Sequence, residues 1–95
     1  MGGQTTENPV TTADPASKLE DIYEVILFND DHNIAEFVVQ CLMKIFAHTE
    51  TLAEKIMIEA HMRGSAIAEV EGESAARKHK DQLLSCGLIS AIRKV

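Results

Sequence analysis

Asn29, Asp30, Asp31 and His61 are the residues of this sequence best suited to chemistry. An amide oxygen, two carboxylates and an imidazole can hold a cation, bind a metal or move a proton. Asn29-Asp30-Asp31 lies between an apolar stretch and an amphipathic one, where Asn and Asp also act as turn and capping residues. On residue chemistry alone that plain reading comes first. His61 follows Met57 by four residues on the side of a helical pattern expected to be buried, where a packed imidazole is the simpler expectation. Ala53 and Ala60 on the same pattern suggest close helix packing. Adding His32 to Asp30, Asp31 and His61 gives a conceivable metal set, but the spacing matches no metal-binding signature. There is no Ser or Cys in a nucleophile elbow, no Gly-rich phosphate loop and no His-Glu-x-x-His. The expectation is a protein that is not an enzyme and has no catalytic residue, metal or cofactor.

The elements that must position these residues are legible in the pattern. Residues 23–28 are β-branched and aromatic and stop at a polar turn, which predicts a strand. Ile34, Phe37, Val38, Cys41, Leu42, Ile45 and Phe46 form one helical stripe, and Asn33 with Glu36 is a candidate capping box. A second helix starts at Thr49 or Thr51, runs through Leu52 or Ala53, Ile56, Met57, Ala60 and His61, and ends at Gly64. Residues 66–71 predict a strand with one wet face. Residues 73–86 predict a third helix with Ala76, Leu83 and Leu84 inward, closed by Gly87, and residues 88–95 a last strand. The order is β-α-α-β-α-β, an α+β domain with a three-stranded sheet packed against helices.

The chain has 95 residues, enough for one small core, and 45% of them are apolar. Residues 1–21, with Pro9, Pro15 and several Thr and acids, predict a flexible tail, and residues 22–95 the folded domain. A net charge of −6 with no Trp and one Tyr disfavours nucleic acid as a partner. Arg77, Lys78 and Lys80 read as a solvated helix face. Cys41 and Cys86 are too few and too far apart for a disulfide framework. Neither a membrane span nor a leader segment is visible. These features predict a cytoplasmic monomer.

In combination the motifs carry more than they do singly. Residues 23–31 (Tyr-Glu-Val-Ile-Leu-Phe-Asn-Asp-Asp), 36–39 (Glu-Phe-Val-Val) and 56–64 (Ile-Met-Ile-Glu-Ala-His-Met-Arg-Gly) resemble the ClpS family. These are adaptors of the ATP-dependent Clp proteases that recognise N-degrons, and the resemblance spans residues 22–95. It implies a fold like the C-terminal domain of a ribosomal stalk protein. It also implies delivery of N-degron substrate proteins to a Clp AAA+ unfoldase of the ClpA or ClpC type.

The resemblance assigns roles residue by residue. Asn29, Asp30 and His61 fall at the positions that hold the substrate's α-amino group, a cation with three donors that needs acceptors and a negative charge. Asp31 is left to hold the turn or cap the helix. Ile34, Ala35, Val38, Met57, Ala60 and Leu88 fall at the side-chain pocket, with Ile34 and Ala35 at its mouth. Family members usually carry Met in place of Ala35, a gatekeeper against β-branched first residues, so Ala35 implies a wider pocket. Ser74, Arg77 and His79 fall where the family meets its unfoldase, but their types depart from the usual ones. Two rival readings remain: an interaction module that binds no N-degron, and a metal-dependent hydrolase using Asp30, Asp31 and His61.

Overall fold

The computed structural model of the chain describes residues 20–95. Six elements follow in order: β1 (Ile22–Phe28), α1 (Ala35–Phe46), α2 (Glu50–Arg63), β2 (Ser65–Gly72), α3 (Glu73–Ser85) and β3 (Ile89–Lys94). The α+β class and the β-α-α-β-α-β order read from the pattern both hold. Most of the expected tail, residues 1–19, lies outside the described residues.

β1 is the middle strand, antiparallel to β2 on one side and to β3 on the other. Neighbours on both sides satisfy both rows of its backbone groups, which suits the buried run Val25, Ile26 and Leu27. Val25 pairs with Glu69 and Ile26 with Ile67, leaving Ala68 as the extra residue of a bulge. The Ala68 carbonyl accepts a 2.8 Å hydrogen bond from His48 Nε2, which ties the α1–α2 connection to the sheet.

One core joins Val25 and Leu27 to residues from all three helices: Val38, Val39, Cys41 and Leu42 on α1, Ala53, Ile56 and Ala60 on α2, Ala76 and Leu83 on α3. Ile34, Phe37 and Leu84 of the expected stripes fall outside it, as does Leu52, the alternative to the buried Ala53. Ile34 is 68% exposed because it precedes α1 in extended conformation rather than lying on the helix. Leu84 is exposed because Ala76 and Leu83, seven residues apart, share one face, and Leu84 is turned about 100° away from it. The cysteines, distant in sequence, meet in the fold as free thiols. Burial, and then hydrogen bonding with Cys86, push the Cys41 thiol up to about 11.

Candidate functional site

The end of β1 is tied to the end of α2. Asn29 N–H donates to the Gly64 carbonyl at 3.0 Å, and Gly64 N–H returns to the Ala60 carbonyl at 2.8 Å. Gly64 has φ 94°, a left-handed conformation that glycine adopts without strain and that ends α2. This connection places Asn29 and His61 on one cavity.

The turn between β1 and α1 is built on Asp30. Its Oδ1 accepts the backbone N–H groups of His32 at 2.8 Å and Asn33 at 2.9 Å. The Asn33 side-chain amide lies 3.2 Å from each carboxylate oxygen and also donates to the Gly87 carbonyl at 3.1 Å. Two expectations are corrected here. Asn33 makes no capping box, because its side chain is held by Asp30 and Gly87 while Ile34 takes the N-cap position without a side-chain bond. The turn is held by Asp30 rather than Asp31, whose side chain is exposed.

The protonation state of Asp30 follows from this geometry. Partial burial works against its charge, but the backbone donors of Asn33 and His32, the Asn33 amide and the His32 ring outweigh burial. The carboxyl therefore titrates below its usual 3.8. Oδ1 is crowded with three donors, whereas Oδ2 shares a single amide and keeps acceptor capacity for a cation.

A cavity of about 310 Å³ opens beside this turn, lined by Leu27, Phe28, Asn29, Asp30, Asp31, Asn33, Ala35, Val38, Met57, Ala60 and His61. It gathers the three residues assigned to the α-amino group and four of the six assigned to the side-chain pocket. Leu88 belongs to the buried core and Ile34 to the exposed start of α1, so neither lines it. Leu27, Phe28 and Asn33 line it although sequence reasoning gave them no such role. The first two read only as strand residues, and Asn33 as a helix cap. His61 is exposed and engages in no hydrogen bond among the described residues, contrary to the packed imidazole expected on the helical pattern. Ala60 leaves space for the cavity as well as packing the helix, so close packing and a pocket coexist.

Among the described residues no three His, Cys, Asp or Glu side chains converge as a metal site. The three α3 residues lie away from the cavity. Arg77 pairs with Glu73 at 2.6 Å, Ser74 hydrogen-bonds the Glu20 carboxylate, and His79 Nδ1 sits 2.6 Å from Glu71 with its ring edge-on to Phe46. No helix among the described residues is long and apolar enough to cross a membrane.

Comparison with known proteins extends this geometry. Residues 18–88 match the family model described as ATP-dependent Clp protease adaptor protein ClpS. The chain is 37% identical to the ClpS adapter of Synechococcus elongatus, over 97% of this chain and 96% of that protein. It is 34% identical to ClpS 2 of Mesorhizobium japonicum, over 88% and 83%. It is also 41% identical to the chloroplastic CLPS1 of Arabidopsis thaliana over 81% of this chain, spanning about half (49%) of that relative. Among solved structures, Agrobacterium tumefaciens ClpS2 bound to L-phenylalaninamide superposes with a TM-score of 0.70 at 28% identity, covering 80% of this chain and 99% of that one.

Proposed function

This chain belongs to the ClpS family of ATP-dependent Clp protease adaptors, and from that premise we propose that its cavity holds the first residue of an N-degron substrate. The observation that carries the proposal is the junction of polar and apolar walls in one cavity. Asp30, whose Oδ2 shares only the Asn33 amide and keeps acceptor capacity, stands with Asn29 and His61 on a space otherwise walled by Ala35, Val38, Met57 and Ala60. The substrate α-ammonium binds Asp30, Asn29 and an unprotonated nitrogen of His61, and the side chain enters between α1 and α2. L-phenylalaninamide, the ligand of the related structure, has this pattern of a free amine beside a benzyl group. The volume stands at the lower end of the roughly 300–1,000 Å³ found for small-molecule sites, which fits a single large side chain.

Function follows from capture and release. The adaptor breaks no bond; it raises the concentration of substrate at the unfoldase, for which affinities of about 1 μM suffice. We assign unfoldase contact to α3, through the exposed Arg77 and Ser74, with His79 held behind them by Glu71 and Phe46. The unfoldase is of the ClpA or ClpC type, and the adaptor acts as a cytoplasmic monomer, a reading that its two free thiols support.

Fluorescence anisotropy with peptides headed by Phe, Leu, Ile or Ala, each with an acetylated twin, tests the proposal. Free Phe and Leu termini are expected to bind and acetylated ones not to. Absence of binding by every free terminus would return Asn29, Asp30 and His61 to structural roles and favour the interaction module.

A further inference from the structure

The chain has two cysteines, Cys41 and Cys86, and neither lines the first-residue cavity. Both are free thiols. Cys41 is buried on α1, while Cys86, the residue that ends α3, is half-buried and packs against the same core. Their side chains are in hydrogen-bond contact. A separate bond ties the same two segments together: the Asn33 amide, just before α1, donates to the Gly87 carbonyl, just after Cys86, at 3.1 Å. The turn beyond α3 also has room to yield, since nothing lies within 4 Å of the position a Cβ on Gly87 would take. The small approach that brings two touching sulfurs to bonding distance can be absorbed there.

We propose that Cys41 and Cys86 form a reversible dithiol site that reacts with hydrogen peroxide and closes into a disulfide bracing α1 against the end of α3. Cys86 reacts first, because it is the thiol that solvent reaches. Its sulfur attacks one peroxide oxygen, the O–O bond breaks, and the departing hydroxide takes the Cys86 proton and leaves as water. Cys86 is then a sulfenic acid. The Cys41 sulfur attacks the Cys86 sulfur, the S–O bond breaks, and the hydroxide leaves with the Cys41 proton as a second water. Two thiols are oxidised to one disulfide and one peroxide is reduced to two waters. Burial, and then the hydrogen bond with Cys86, push the Cys41 thiol up to about 11, which keeps it protonated at neutral pH and suits it to the second step. A small thiol reverses the reaction by exchange, and such transient disulfides are the kind that occur in reducing compartments. The brace closes directly behind the Asn33–Gly87 bond that steadies Asp30.

The test exposes the folded chain to a small excess of hydrogen peroxide, removes the excess with catalase, unfolds the protein and alkylates it with N-ethylmaleimide before intact-mass measurement. The parent should lose two hydrogens, take up no maleimide and stay a single chain, and dithiothreitol should restore both alkylated thiols. Cys41→Ala has no second thiol, so its Cys86 should stop at a sulfenic acid that dimedone labels. Cys86→Ala should be oxidised at least about tenfold more slowly than the parent, because its remaining thiol is buried. The oxidised parent should unfold roughly 10 °C above the reduced parent. Two alkylatable thiols surviving in the peroxide-treated parent would overturn the site, and so would a disulfide found only between two chains. Oxidation of Cys86→Ala as fast as the parent would overturn the order of reaction. An oxidised parent that unfolds no higher than the reduced one would overturn the brace. The mass and melting readouts use the parent alone, so they decide the matter even where a variant fails to fold.

Discussion

α1 and α2 begin in different ways, and the site grows out of the difference. At the start of α2, Thr49 Oγ1 accepts the Leu52 N–H at 3.2 Å, so the polar residue serves its own helix. At the start of α1 no side chain caps the helix. There the nearby polar residues are engaged with one another and with the α3–β3 turn: Asp30 with His32 and Asn33, and Asn33 with Gly87. α1 forgoes a cap worth about 1 kcal/mol, and a carboxylate is held beside the cavity instead. A helix start whose polar residues are turned away from the helix is therefore a place to look for a site.

Substitutions on the two sides of this comparison should separate. The largest effect is expected for Asp30→Ala, which removes the counter-charge and the turn acceptor together. Affinity for a Phe-headed peptide should fall about 100-fold, and thermal unfolding should show reduced stability. The sign of the pH dependence follows from the lowered Asp30 carboxyl. Its contribution to stability is complete above the usual carboxylate value of 3.8 and is lost as pH falls through the lower folded-state value. Acid unfolding of the parent and of Asp30→Asn should accordingly converge only below that usual value. Asn33→Ala keeps the charge but frees it; we expect about a tenfold loss of affinity, measured beside a modest loss of stability.

Smaller effects sharpen the contrast. Ala35→Met, at the first residue of α1, narrows the first-residue cavity that Ala35 lines. It should weaken an Ile-headed peptide by about fivefold while sparing a Leu-headed one, and equal effects on both would show that Ala35 does not set selectivity. On the other side, Thr49→Ala should cost about 1 kcal/mol in denaturant unfolding and leave peptide affinity unchanged. Thr51→Ala, which removes the other candidate cap, should stay within about 0.5 kcal/mol.

Much of this was visible in the residues because the signals are local. The β-branched run of β1 and the glycine that ends α2 each depend on neighbours within one or two turns of chain, so element order and type could be read directly. The two candidate caps of α2 could not be separated by pattern alone, and geometry chose Thr49. The site was half legible. Asn29, Asp30 and His61 were singled out by type and by family resemblance, and they do share a cavity. Asn33 was misread because an Asn three residues before a Glu satisfies the capping rule locally, while its actual partners include Gly87, far along the chain. Leu88 and Ile34 do not line that cavity, and a motif position does not say whether a side chain faces a cavity, the core or solvent.

The sequence by itself determined one small α+β domain, the order of its elements, the acidic and apolar residues available for a cation-and-side-chain site, and the family to which the chain belongs. Tertiary structure alone decided which carboxylate holds the turn, that His61 is exposed rather than packed, that Cys41 and Cys86 meet, and that Asn29, Asp30 and His61 line one cavity. The physical reason is range. Propensity, periodicity and capping act over a few residues and are written locally. Cavities and long hydrogen bonds arise only where segments distant in sequence are packed together, so their partners are chosen by the fold as a whole.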